Sequence, residues 1–115
     1  MNGPFVLSSE SINEHVSSKS PGAYVLSRSQ GSNGKWIAHY IGRSDVDVAG
    51  RLRTWAQAQT SYRRFWFDYS PSARGAFLLE CQWWHQYAPS DNERHPDVPA
   101  GTDWKCPVAS CPFSQ

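Results

Sequence analysis

Two runs of bulky residues separated by a cluster of turn formers constrain this chain more than any other feature. Gly22 opens the first, AYVLSRS at 23–29; the turn-forming QGSNG follows at 30–34, and the second run, KWIAHYIG, covers 35–42. β-Branched and aromatic residues fit a pleated surface, and Asn and Gly supply the reversal, so the segment predicts a β-hairpin. Its register decides where two tyrosines point. A two-residue turn at Asn33-Gly34 sends Tyr24 and Tyr40 to opposite faces, whereas an odd loop centred on Ser32 sets them directly opposite each other on the same face. The residues alone allow both.

The rest of the chain arranges itself around that hairpin. Asp45 and Asp47 are both able to cap a helix, and VAGRLRTWAQAQ at 48–59 then spaces Val48, Leu52, Trp55 and Gln59 as a helical face. RRFWFDY at 63–69 alternates Phe65, Phe67 and Tyr69 against Trp66 and Asp68, the pattern of a third strand. Ser70-Pro71 starts the longest helix, about 72–87, because proline suits a first helical turn. Upstream, residues 1–21 are serine-rich and end at Pro21, with Ser11 and Glu14 spaced as a capping box for one short turn; they read as an N-terminal arm. Downstream, 96–115 reads as a proline- and cysteine-containing coil tail, leaving 22–95 as the domain. The order β-β-α-β-α defines an α+β fold.

With 115 residues, one core is what this length supports, so the functional groups belong to one small domain. Lys and Arg total 11 against 10 Asp and Glu, which excludes an overall field drawing the chain onto nucleic acid or anionic lipid; any such partner needs a local patch. The longest apolar run, Ala76–Leu79, is far below the ~20 residues of a membrane span, and MNGPFVLSSE lacks the basic and apolar regions of a secretory signal. The expectation is an intracellular protein, cytoplasmic or nucleoid-associated, with no membrane partner. Three cysteines are too few and too odd in number for a disulfide scaffold.

Three features carry chemistry: Gly22-Ala23-Tyr24, Tyr40-Ile41-Gly42, and Glu80, a lone carboxylate among Phe77, Leu79, Trp83 and Trp84. A charge in such surroundings is costly unless a cation or metal compensates it. The plain structural alternative is an ion pair with an arginine such as Arg51 or Arg74. For the tyrosines it is a core aromatic on a strand.

Together these features resemble the GIY-YIG nuclease superfamily. Gly22-Ala23-Tyr24 stands for the first signature, with Ala23 in place of the usual aliphatic residue, and Tyr40-Ile41-Gly42 matches the second in full. Arg43 occupies the basic position three residues after the second tyrosine. Arg51 corresponds to the arginine of the following helix, with one extra loop residue that leaves Arg53 as the other candidate. Glu80 follows Ala76 in the Ala-x-x-x-Glu context of the metal-binding carboxylate, and Asn92, twelve residues on, falls where many members place an asparagine. The resemblance spans 22–92. It implies a three-stranded antiparallel sheet flanked by helices, the odd-loop register, and a DNA endonuclease that hydrolyses phosphodiester bonds with one metal ion.

The residue types suit that chemistry. Glu80 can hold one Mg²⁺ or Mn²⁺, a hard cation that keeps waters in its remaining positions. Tyr24 or Tyr40 can serve as general base if Arg43 and the metal lower its pKa from about 10. Arg51 matches phosphate oxygens with a charged fork. Arg53, Arg63, Arg64 and Arg74 add positive charge for a nucleic-acid backbone, and Trp66, Trp83 and Trp84 offer stacking surfaces or core packing. The alternative is a non-cutting nucleic-acid-binding or protein-interaction module on the same fold, with a protein partner or self-association for targeting.

A second metal site is also readable. Cys81 and His85 are spaced i, i+4 on one helix face, and Cys106 and Cys111 flank a proline-containing loop, a set able to close a tetrahedral structural zinc site that pins the tail; His95 competes with His85. A scaffold that needs zinc and holds a partner is the third function this pattern allows.

Overall fold

Burial is complete along one strand and alternates along another, and that contrast places the first at the centre of a sheet. The structure, a computed structural model, describes residues 1–114. In chain order the elements are β1 (Asn2–Val6), α1 (Ser9–His15), β2 (Gly22–Ser27), β3 (Tyr40–Ser44), α2 (Val48–Gln57), β4 (Arg64–Tyr69) and α3 (Ala73–Tyr87), with a single 3₁₀ turn at Pro112–Ser114. All six residues of β2 are buried, while β4 buries Phe65 and Phe67 and half-exposes Trp66 between them. The antiparallel sheet runs β1-β4-β2-β3, so β2 lies between β4 and β3, and β3 is an outer strand.

The fold is α+β, as the sequence implied, but the sheet has four strands instead of three. The fourth is β1, paired with β4 through Phe5↔Phe65 and Val6↔Arg64, so the N-terminal residues join the sheet and do not form an arm. Ser8, not Ser11, caps α1: its hydroxyl accepts the Ser11 N–H at 3.1 Å. The second strand-like run is strand only from Tyr40 onward. Residues 28–39 form a long connection with one isolated bridge, Gln30↔Trp36.

The hairpin register is neither of the two considered. Leu26 faces Tyr40 and Tyr24 faces Gly42, a displacement of two residues from the direct Tyr24–Tyr40 pairing. Because strand side chains alternate with period two, this shift keeps both tyrosines on one face. A Cβ at Gly42 would lie 2.5 Å from the Tyr24 phenol carbon Cζ and its oxygen, so only glycine lets that ring cross β3. Gly22 has a similar cause: a Cβ there would meet the Asp68 carbonyl at 2.4 Å.

Helices cover both faces. On one, Tyr24, Leu26, Phe65 and Phe67 pack with Ile12 and Val16, at α1 and its C-cap, and with Val48 and Leu52 of α2. On the other, Ala23, Val25 and Ile41 pack against Trp83 of α3. The far side of α3 buries Phe77 and Cys81 against Cys106 and Cys111 of the tail, so residues 88–111 form a further layer without strands or helices. Trp83 and Trp66 serve this core, and Trp84 donates its indole N–H to the Asn92 carbonyl at 2.7 Å. Ser72 caps α3 by accepting the Gly75 N–H at 3.0 Å, which leaves Pro71 just outside the helix. No helix is long and apolar enough to cross a membrane among the described residues.

Candidate active site and metal-ligating cluster

An outer strand has an open edge, and here that edge lets side chains from both sheet faces meet. Tyr24 and Tyr40 lie on the α2 face with ring centroids 6.3 Å apart. Arg43 pairs in register with Ala23 and therefore points to the α3 face, where Glu80 waits on the helix. Gly42 has no side chain to separate the two groups. The result is a polar pocket of about 320 Å³ lined by Tyr24, Tyr40, Gly42, Arg43, Arg51 and Glu80, with Asp45 and Asp97 at its margin.

Most of these groups already satisfy one another. Arg43 forms an ion pair with Glu80 and a second, at 2.9 Å, with Asp45; it also reaches the Asp97 carbonyl at 3.5 Å. Glu80's cation is thus Arg43, not Arg51 or Arg74. Burial raises the Glu80 carboxyl above its usual range, and the Arg43 charge opposes that rise. Trp55, one helical turn beyond Arg51 on α2, donates its indole N–H to the Tyr24 oxygen at 2.8 Å. Burial also pushes the Tyr24 phenol up, with the Trp55 bond pulling the other way. Tyr40 is raised too, by burial and then by the Glu80 charge, with Arg51 acting against them. The sequence assigns the lowering of a tyrosine pKa to Arg43 together with the metal. Arg43 is instead spent on Glu80 and Asp45, and the guanidinium that favours phenolate is Arg51.

The donor set fits a hard divalent cation. Arg43 holds Glu80 Oε1, and Oε2 forms no hydrogen bond among the described residues. The possible metal ligands in the pocket, the carboxylates of Glu80, Asp45 and Asp97 and the two phenols, are all oxygens, the ligand type Mg²⁺ and Mn²⁺ take, with the guanidiniums of Arg43 and Arg51 beside them.

Asn92 does not line the pocket. Its side-chain amide accepts the Ile41 N–H at 3.2 Å and donates to the Ile41 carbonyl at 2.6 Å, so it closes the outer edge of β3 as a neighbouring strand would. The other arginines stay apart from the pocket. Arg53 donates to Asn13 of α1 at 3.1 Å, Arg64 lies over the Trp36 ring at 4.7 Å, and Arg63 and Arg74 are exposed elsewhere. Trp55, Asp45 and Asp97 were not foreseen. The signal for Trp55 was present in its i, i+4 spacing from Arg51, which puts the two on one helix face.

The second cluster differs from the set read in the sequence. His85, His95, Cys106 and Cys111 bring their ligand atoms within 4.8 Å of one another, a His₂Cys₂ group able to hold a metal such as zinc. His95 takes the place expected for Cys81, and both histidines belong. Cys81 points into the apolar layer with Phe77, where burial, and then the neighbouring Cys106, raise its thiol. No disulfide forms: all three cysteines are free and buried. The Nε2 atoms of His85 and His95 are buried without any hydrogen-bond partner. Such atoms are rare in folded proteins, and a bound metal ion is one partner that would satisfy both.

No family model, curated protein or solved structure matches the chain.

Proposed function

We propose that the chain is a metal-dependent endonuclease of the GIY-YIG type that hydrolyses DNA phosphodiester bonds. One observation carries the reading: two phenols, a phosphate-matching guanidinium and a buried helix carboxylate line the same polar pocket at the outer strand β3. Mg²⁺ or Mn²⁺ at Glu80 would supply Lewis-acid neutralisation of charge on the phosphate and on the departing 3′-oxygen. Arg51, exposed at the pocket mouth, binds phosphate oxygens and aligns the scissile bond. Tyr40 would act as the phenolate, its own proton given up to solvent with the Arg51 charge favouring that form against burial and the Glu80 charge, and would take the proton of the attacking water as the new P–O bond forms and the P–O3′ bond breaks. It suits that task better than Tyr24 because it is less buried, while Tyr24's oxygen is already engaged by Trp55. Tyr24 positions the tyrosine pair, Arg43 fixes the Glu80 carboxylate, and Asn92 holds the strand that presents them.

The His₂Cys₂ group enters this reading as a separate structural zinc site, since four protein ligands leave no open position for substrate.

A second reading, a binding module of the same fold that does not cut, draws on the Arg43–Glu80 pair and on Asp45 and Asp97 at the margin. These make the pocket self-neutralised and partly acidic toward a polyanion. Cleavage assays on duplex, nicked, branched and single-stranded DNA with Mg²⁺ or Mn²⁺ separate the two. The nuclease reading expects cutting that falls about 10²–10³-fold or more in Glu80→Ala, with DNA binding retained. A parent protein that binds without cutting supports the module, and one that does neither overturns both.

A further inference from the structure

Residues 88–111 contain no strand or helix, yet they deliver two of the contacts that define the outer edge of the sheet. Asn92 pairs with both backbone groups of Ile41, and the Asp97 carbonyl receives Arg43 at the pocket margin. Between those two residues, in sequence, stands His95. We infer that a zinc ion bound by His85, His95, Cys106 and Cys111 is what seats this segment, so that the β3 edge and the pocket margin are completed only in the metal-loaded chain. This rests on the structural-zinc reading and is independent of whether the pocket cuts DNA.

Four observations support it. The ligands come from two places, His85 from α3 and the other three from the tail, so one ion ties the irregular layer to the helix that also carries Glu80. His95 Nδ1 lies 2.9 Å from the Pro96 carbonyl, which fixes the proton on Nδ1 and turns the Nε2 lone pair inward, the usual second contact of a metal-bound histidine. Phe113 stacks on the His95 ring with centroids 4.3 Å apart, shielding the site from water. A tetrahedral N₂S₂ site has edges of about 3.3–3.8 Å, so ligand atoms that lie within 4.8 Å of one another need to close by about 1.5 Å at most. Apart from the metal, the segment is held by scattered hydrogen bonds and the small apolar cluster around Cys81, with no covalent crosslink.

The test uses the full chain, purified without added chelator, and does not involve DNA. Zinc content is measured by elemental analysis, and cobalt substitution is followed by absorption for thiolate charge transfer and tetrahedral d–d bands. Backbone hydrogen exchange is then compared between loaded and chelator-stripped protein. The expected result is about one zinc per chain, and exchange at Ile41 about tenfold faster or more after stripping while β4 stays protected. In the loaded chain, Asn92→Ala keeps its zinc yet exposes Ile41 to the same degree, whereas His95→Ala loses both zinc and Ile41 protection and His95→Cys, which preserves four ligands, restores both. A chain that takes up neither zinc nor cobalt overturns the inference. So does equal Ile41 exchange in loaded and stripped protein, and so does uniform loss of protection across the sheet on stripping, which would make the metal a condition of the whole fold.

Discussion

The two polar clusters of this small protein are built on opposite principles. In the pocket at the β3 edge, buried charge and buried hydrogen-bonding groups are matched within the protein: Glu80 with Arg43, the Tyr24 oxygen with the Trp55 indole. Where the tail meets α3, two imidazole nitrogens, of His85 and His95, are buried with nothing to bond. A matched cluster is stable as it stands and has to be opened, or shared, by whatever it binds. An unmatched one carries a desolvation cost until an outside partner arrives. The difference assigns different work to the two sites: the first suits a transient ligand that competes for the Glu80 carboxylate, the second a resident one.

The contrast breaks most visibly at Arg43. Its side chain is 15% exposed and Glu80's 10%, so Arg43→Leu leaves an almost fully desolvated carboxylate without its cation. The expected loss of stability near neutral pH is about 3 kcal/mol, read by urea unfolding. The sign of its pH dependence is fixed by Glu80, whose carboxyl is raised by burial and held back by Arg43. A carboxyl with a folded pKa above its unfolded value costs stability while ionised. The deficit should therefore be full above the raised folded value and vanish as pH falls to the unfolded value of about 4.3. The double variant Arg43→Leu with Glu80→Leu should recover most of the loss. A deficit that does not change between pH 7 and 4 would mean the pair is not what neutralises Glu80.

Gly42 sharpens the same contrast from the backbone side. The two faces share a pocket only because Tyr24 lies across a residue without a Cβ, and Gly42→Ala places that atom 2.5 Å from the phenol. Because ring and backbone are both packed, relief requires the tyrosine or the strand to move, at a cost of about 1–3 kcal/mol. Adding Tyr24→Leu should remove most of the penalty, giving a large coupling in a double-mutant cycle. Additive effects would show that the ring does not depend on this glycine.

These residues also mark what was legible in the sequence. The first hairpin strand, both helices after the hairpin, and the Phe65/Phe67 strand follow local periodicity, and the structure reproduces them within a few residues, while the second hairpin strand starts five residues late, at Tyr40. Glu80 stood out because charge in an apolar helix is expensive wherever the helix packs. Its partner did not, since pairing with Arg43 depends on which strand lies over α3. β1 was hidden because residues 1–21 read as a serine-rich arm, and its sheet partner, β4, is some sixty residues away. The register escaped because loop length was taken from turn residues, whereas the strand begins at Tyr40 and Tyr24 settles opposite Gly42. Cys81 and His85 share a helix face, which is all that i, i+4 spacing can say. That Cys81 lies buried against Phe77 and Cys106, leaving His95 to complete the ligand set, depends on how the tail folds back.

The smallest effect concerns how little else seats the tail. Asp91 binds Arg28, with a second contact of 3.2 Å from the same guanidinium, and accepts from the Tyr62 hydroxyl. The hydrogen bond from Arg28 is the main reason its carboxyl falls to about 2, with Tyr62 adding to the drop. A carboxyl lowered below its unfolded value of about 3.9 lends stability above that pH and loses it as pH falls through its folded value. Both side chains of the ion pair are partly exposed, so solvent screens it. Asp91→Asn should lower the melting temperature by only a degree or two near neutral pH, and the gap from the parent should close between pH 4 and 2. In metal-loaded protein it should leave Ile41 exchange unchanged, because the hydrogen-bonding of that strand edge runs through Asn92. A drop comparable to that of Arg43→Leu would instead make this exposed triad, and no metal, the main fastening of the tail.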